Sequence, residues 1–289
     1  MTRLRLLGPA ILVVAGLLGG GCASDGNPPP ESEASASDDT RTLDSKADSV
    51  AARLMEAHGA DALDSAPYLR FNFAVETPQG TRVIGRHLWD RTTGDYRVEW
   101  QSGPDSNYVA LVNVRNVTDK TPAGTAYLNG TELTGTAAEE ARREAYGRFI
   151  NDTYWLLAPL KVFDAGVNRS YLPDSSTAQH DVLHLTFGDV GLTPGDEYWL
   201  YVSKETGRLD RWAYHLQSMS EDALPQRFDW TGYTALQTPA GPVELATRKE
   251  AVDAEQAIVT NELALPSSPP DGAFSAPEPM LTTDEGGGS

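Results

Sequence analysis

The sequence predicts a mainly β protein (α+β): one large curled antiparallel sheet, an unclosed half-barrel of about eleven strands, with helices packed in or over its concave face. Three observations predict it. Apolar and polar residues alternate with a period of two along most of residues 68–264, and Gly, Pro and Asn-Gly turn signals separate those runs. Only two stretches take a helical period, so strands and helices do not alternate as a doubly wound sheet requires.

A helix opens the folded region. Asp44 or Ser45 supplies its N-cap, Ala47, Val50, Ala51, Leu54, Met55 and His58 follow at spacings of three and four, and Gly59 stops it. After Pro67 the period changes: Leu69, Phe71, Phe73 and Val75 alternate with Arg70, Asn72 and Ala74, and Pro78-Gln79-Gly80 turns the chain into a strand over 81–90. Tyr96, Val98 and Trp100 alternate in 95–101. Strands over 107–116 and, around Asn129-Gly130, over 125–134 complete an antiparallel meander.

Residues 136–160 break the pattern. Thr136, with Glu139 three residues on, reads as a capping box, and helix formers run to about Asn151. Tyr154, Trp155, Leu156, Leu157 and Leu160 are then too apolar to face water, which predicts that they pack into something concave or form a shallow lid. Strands resume near 166–172, 180–188, 196–203, 208–217, 226–237, 242–250 and 255–264, with turns at Pro194-Gly195-Asp196, Glu205-Thr206-Gly207 and Pro239-Ala240-Gly241-Pro242. A sheet of this size must curl. Closing partly around the apolar helices would bury Trp212, Tyr214 and Leu216 and leave an interior of the kind that barrels offer to apolar ligands.

The ends carry a different composition. Arg3 and Arg5, an apolar run from Leu6 to Leu18 and three glycines before Cys22 read as a signal peptide over 1–21. The run is shorter than the roughly 20 residues of a spanning helix and contains Pro9, which argues against a permanent anchor helix. Small residues directly before the chain's one cysteine resemble a bacterial lipobox, which implies cleavage before Cys22 and lipidation of that residue; Leu18 stands one position further from it than in the usual pattern. An ordinary secreted protein with an incidental cysteine is the alternative. Residues 22–41 hold no run to bury and read as an extended tether, residues 42–265 as the half-barrel domain, and residues 266–289 as a second unfolded tail.

The formal charge is -18, from 41 acidic and 23 basic side chains, and becomes -20 once Arg3 and Arg5 leave with the leader. Such a chain repels phosphate backbones, which excludes nucleic acid as a partner. Five lysines against 18 arginines in so acidic a protein fit a salt-adapted organism, or else an ordinary acidic periplasmic protein. Membrane attachment would rest on acyl chains at Cys22 and not on charge, at about 0.8 kcal/mol for each buried methylene.

The stretches FINDTYWLLAPLKVFDAGV (149–167) and DVLHLTFGDVGLTPGDEYWLYVSKETGRLDRWAY (181–214) resemble a bacterial lipoprotein family of undetermined function. Helix placement and strand count over residues 45–264 are similar to the superfamily of the periplasmic lipoprotein carrier LolA and its outer-membrane receptor LolB. That resemblance implies a half-barrel lidded by helices, a hydrophobic cavity for acyl chains, and a role in carrying or sensing lipids or lipoproteins. Ala23 after Cys22, in place of an aspartate, resembles signals that permit sorting to the outer membrane, facing the periplasm or the cell surface.

Chemistry-bearing residues give less. His180 and His184, four apart on a strand, lie roughly 13 Å from each other, too far to share a metal ion. His58, His87 and His215 are isolated in the sequence, and no Gly-x-Ser-x-Gly or Cys/His pattern supports nucleophilic catalysis, so neither an enzyme nor a cofactor is expected. The acidic loop 189–197 lacks the ligand spacing of an EF-hand and reads as a turn, and four Asn-x-Ser/Thr matches at Asn116, Asn129, Asn151 and Asn168 have no bearing in a bacterial lipoprotein. With six Trp and eleven Tyr, the aromatic residues serve either core packing or a ligand pocket. Tyr154, Trp155, Leu156, Leu157, Trp199 and Trp212 are the cavity candidates. The expectation is therefore a lipid-anchored envelope protein that binds an acyl chain, a lipid or another apolar molecule. The alternative is an interaction lipoprotein whose interior is filled by its own helices and whose partner is another protein.

Overall fold

A computed structural model describes residues 37–188 and 192–281, with side chains from Ser45 onward. The signal peptide, Cys22, most of the tether and the last eight residues, 282–289, lie outside them. Alternating sequence becomes thirteen antiparallel strands: β1 (Tyr68–Thr77), β2 (Gly80–Asp90), β3 (Asp95–Gln101), β4 (Asn107–Thr118), β5 (Thr121–Leu128), β6 (Thr131–Glu132), β7 (Val167–Tyr171), β8 (His180–Phe187), β9 (Glu197–Ser203), β10 (Leu209–His215), β11 (Gln226–Thr238), β12 (Gly241–Ala251) and β13 (Ala257–Ala264). Their count is thirteen and not about eleven, in part because the Asn129-Gly130 turn adds the two-residue β6.

All strands join one unclosed sheet in the order β6-β5-β4-β3-β2-β1-β13-β12-β11-β10-β9-β8-β7. The last strand therefore sits at its centre, paired with β1 through Phe73–Thr260 and with β12 through Lys249–Ile258. Period two sorts the side chains onto two faces. Leu69, Phe71, Tyr96, Val98, Leu183, Leu185, Leu200, Trp212 and Leu245 point inward and are buried under helices.

Three helices cover that inner face: α1 (Ser37–Ala57), α2 (Ala60–Asp64) and α3 (Gly135–Leu157). Helix α1 begins within the segment that composition assigns to the tether. Its Ala47, Val50, Ala51 and Leu54, at three- and four-residue spacing, pack on β8–β10. Gly59 separates α1 from α2 in the left-handed conformation (φ 72), which a side chain would strain. A Cβ there would also meet the Pro242 carbonyl oxygen at 2.2 Å. The expected capping box at Thr136 and Glu139 does not form. Thr134 is the N-cap, Gly135 has φ 58, and Glu139 instead faces Arg143 at 3.9 Å. The helix also continues past Asn151 through Leu157, and Ala158–Leu160 add a 3-10 turn. This is the predicted apolar segment, and it is buried: Leu156, Leu157, Ala158 and Leu160 are at most 8% exposed.

A charged anchor seats α1. Asp181 of β8 lies on the inner face, 1% exposed, with Arg53 Nη2 at 2.7 Å, Lys204 Nζ at 3.5 Å and Lys46 Nζ at 3.7 Å, and it accepts a hydrogen bond from Tyr171 Oη at 3.2 Å. Burial pushes this carboxyl up, but the Arg53 hydrogen bond and the three positive charges outweigh burial and hold it below the ordinary carboxylate value.

The stretch from Pro266 corrects the sequence reading. Instead of forming an unfolded tail, residues 266–281 cross the outer face of β2 and β3, where Ala273 and Leu281 are buried against Leu88. The C-terminal boundary of the domain thus moves from residue 265 to at least Leu281.

The substitution Asp181→Asn is expected to lower unfolding stability by about 2 kcal/mol. That is less than a fully buried pair would lose, because its three cationic partners are a third or more exposed. Urea titration at neutral pH measures it, and loss of helical circular dichroism before the sheet signal would locate the effect in α1.

Candidate functional site

Where the end of α1, α2 and the end of α3 converge on β2, a cleft of about 170 Å³ remains. Met55, Ala60, Leu63, Leu157 and Leu160 give it apolar walls, Trp89 contributes an indole, and Asp64, Arg91, Lys161 and Asp164 make a polar rim. The rim charges are paired: Lys161 Nζ lies 2.6 Å from Asp164, and Arg91 Nη2 lies 3.5 Å from Asp64. Arg91 also ties α2 down by donating to the Leu63 and Ala66 carbonyls, the latter at 2.7 Å. Two donors on cleft residues, Trp89 Nε1 and Arg91 Nε, are buried without an acceptor among the described residues.

The six candidates separate. Tyr154, Trp155, Leu156, Leu157 and Trp212 meet on the inner face: the Trp155 and Trp212 rings are 4.6 Å apart, Trp155 and Phe228 4.8 Å, and Tyr154 and Trp212 5.9 Å. Trp199 does not join them. It pairs across the ladder with Ala213 while Trp212 pairs with Leu200, so it faces outward, stacked on His184 at 5.1 Å. Among the five inner residues only Leu157 lines the cleft. Around Tyr154, Trp155 and Trp212 the edge-on and tilted rings fill the space, and burial drives the Tyr154 phenol up.

Sequence reasoning missed the polar groups inside. His87 of β2 and Tyr96 of β3, both fully buried, share a 2.6 Å hydrogen bond from the phenol to Nδ1. Across the ring, Asp152 of α3 places Oδ2 3.2 Å from Nε2, at an angle too oblique for a linear hydrogen bond. Phe71 stacks on the imidazole at 4.3 Å, and Gly85 leaves it room, since a Cβ there would stand 2.8 Å from Nε2. This Asp-His-Tyr alignment resembles a proton relay, but it does not line the cleft under α2. It pins α3 to the sheet.

His58 does the same for α1. Its Nδ1–H donates to the Leu54 carbonyl at 2.8 Å and Tyr233 donates to the Leu209 carbonyl at 2.5 Å, which leaves no proton for the 3.3 Å contact between His58 Nε2 and Tyr233 Oη. Lys249, fully buried, donates to the Ala246 carbonyl at 2.7 Å and lies 4.9 Å from the Trp230 ring centre; burial lowers its amine to about 7. Helical spacing places His58 on the apolar face of its helix, but no periodicity announces the others. Their signal is a polar side chain at an inward position of a strand or on the apolar face of a helix. His180 and His184 instead face outward on Asp210 and Glu197, at 2.9 and 2.7 Å. Among the described residues no group of three metal-ligating side chains comes together.

Burial lowers His58 to about 4, outweighing its hydrogen bond to Leu54, and lowers His87 in the same direction. Both fold neutral while the unfolded chain titrates near 6.5. The stability that rests on each is therefore complete above pH 6.5 and is lost as pH falls through that value, for His58 down to about 4. His58 contributes about 3 kcal/mol of the loss, at 1.36 kcal/mol per unit. Urea midpoints between pH 7 and 4 should show this decline. The variant His58→Gln, which takes no proton there, should flatten it by about that amount.

No protein-family profile matches the chain, and no curated protein matches its sequence. Solved structures do. A DUF1329 family protein from Desulfovibrio piger is 13% identical, with 78% of this chain and 96% of that one covered, at a TM-score of 0.41. A LolA superfamily protein from Nitrosomonas europaea is 12% identical over 77% and 96%, at 0.41. A putative outer membrane lipoprotein-sorting protein domain from Vibrio parahaemolyticus is 10% identical over 79% and 97%, at 0.43. Identities of 13% or lower carry no individual residue across.

Proposed function

We propose that this chain is an envelope binding protein, held to a membrane by acyl chains on Cys22, that takes the acyl chain of a lipid or lipoprotein, or another apolar molecule, under the helices of the half-barrel and performs no catalysis. The cleft beneath α2 carries the reading. It pairs apolar walls from Leu63, Leu157 and Leu160 with a polar rim of Asp64, Arg91, Lys161 and Asp164, the pattern of a site for a molecule with an apolar body and a polar head. Its 170 Å³ is below the roughly 300 Å³ at which drug-sized ligand pockets begin, so uptake of a whole acyl chain requires α2 and the turn at Ala158–Leu160 to shift outward. Helix α2 is five residues long, and its displacement would break the hydrogen bonds that Arg91 donates to the Ala66 carbonyl and Thr238 to that of Ala62.

The packed rings around Trp155 and Trp212 favour a second reading, a self-filled interaction lipoprotein whose partner is another protein.

Native mass spectrometry of the mature chain carrying Cys22→Ala, purified at high salt without detergent, distinguishes the two. The binding reading expects a lipid-sized adduct that organic extraction removes, together with uptake of a fluorescent fatty acid. Ala60→Phe, which fills the cleft from α2, should weaken that uptake about tenfold or more while moving the thermal midpoint only a few degrees. An unliganded mass with no uptake would leave the self-filled reading standing.

A further inference from the structure

The outer face of β2 and β3 holds a buried ion pair with no catalytic or core-packing use. Arg97 is fully buried and Glu99 is 2% exposed, and Arg97 Nε donates to Glu99 Oε1 at 2.6 Å. Every other hydrogen bond that the pair makes goes to the main chain of residues 273–281. Arg97 Nη1 donates to the carbonyls of Ala273 (3.1 Å) and Ala276 (2.8 Å), and Nη2 donates to that of Glu278. Glu99 accepts from the Met280 amide at 2.8 Å and the Leu281 amide at 3.1 Å. A guanidinium thus reads three carbonyls and a carboxylate reads two amides. Apolar sockets frame them: Ala273 and Leu281 are buried against Leu88, with Phe274, Met280 and Tyr68 around them.

Beyond these contacts the Glu278 carboxylate lies against Gly130 of the turn between β5 and β6. Among the described residues the segment makes no main-chain hydrogen bond to any strand. The connection from Ala264 of β13, residues 265–272, contains Pro266, Pro269 and Pro270 and is exposed at Ser267 and Ser268. It is a tether that joins no ladder and has no core of its own. A side-chain clamp that reads main-chain groups, flanked by apolar sockets, is the construction of a peptide-recognition site.

We propose that the outer face around Leu88, Arg97 and Glu99 is a peptide-binding site, that residues 273–281 are its tethered ligand held in cis, and that the same segment of a second copy can replace them. The site takes a proline-spaced peptide that turns at residues 271–275 and presents two apolar residues, Met280 and Leu281, at its far end, and tethering sets the local concentration against which any copy in trans competes. It stands apart from whatever the inner face binds.

The test keeps the full chain. A protease site inserted between the exposed Ser267 and Ser268 is cut after folding, and a labelled synthetic peptide of residues 269–289 is added to the nicked protein. The proposal expects the nicked protein to remain folded when its segment is washed away, and to bind the labelled peptide saturably, with unlabelled peptide competing. In the peptide, Met280→Pro removes an amide that Glu99 accepts from and should weaken binding tenfold or more. Glu278→Gln leaves intact the carbonyl that Arg97 reads and should change binding by less than about threefold. Unfolding of the nicked protein once the segment is removed would overturn the proposal by making residues 266–281 an integral part of the core. Equal binding of the Met280→Pro peptide would overturn the clamp as the recognition device.

Discussion

The connection between the two edges governs the rest of this fold. The sixth strand lies at one edge of the sheet and the seventh at the other, so the chain between Glu132 and Val167 must cross the whole inner face. Laid flat, thirteen strands would span about 58 Å at a spacing near 4.8 Å. A helix of 23 residues reaches only about 35 Å. Curling the sheet brings the edges within reach of α3 and the short turn that follows it, and the same curl makes the trough that α3 fills. Small Ala141 and Ala145 let its first half lie close on β3–β5, while Leu156, Leu157 and Ala158 fill the middle. Crossover and core are therefore one element.

Polar groups decide where the helices lie on an apolar surface that would tolerate several placements. Asp181 fixes α1 along its length, His58 fixes the end of that helix against Tyr233, and the His87–Tyr96 pair meets Asp152 of α3. Each lies at a position that faces the core, and each meets a group from a distant element. Such contacts add specificity more than stability, because an unmatched polar atom in this interior excludes a shifted docking. They also set the conditions of stability, since the two buried imidazoles favour a neutral or alkaline medium.

The strands were legible because alternation and turn chemistry are local. Tyr96, Val98 and Trp100, or the turn at Asn129-Gly130, need nothing else to declare themselves. Helix α3 was legible in its apolar end but not in its start, where Gly135 and Thr134 replace the capping box that Thr136 and Glu139 suggest. Trp199 was misplaced although strand parity was available, since it neighbours Leu200 and must face the other way. The C-terminal strap could not be read at all. Its Pro, Ser and acidic residues have the composition of an unfolded tail, and what orders it is an Arg-Glu pair some 180 positions earlier in the chain. The membrane-proximal readings at Cys22 rest on sequence alone.

An unclosed sheet keeps two edges, and the manner in which these end has a consequence for how the protein behaves when crowded. One edge is a strand of two exposed residues, Thr131 and Glu132, and the other is five residues long with Asn168, Arg169 and Ser170 at its centre. Neither offers a long, flat, apolar template, and Arg169 is drawn to Asp48 at 3.0 Å. Strand-by-strand growth of one molecule onto another is therefore discouraged at both ends. An unclosed sheet can in this way be packed densely without seeding fibrils.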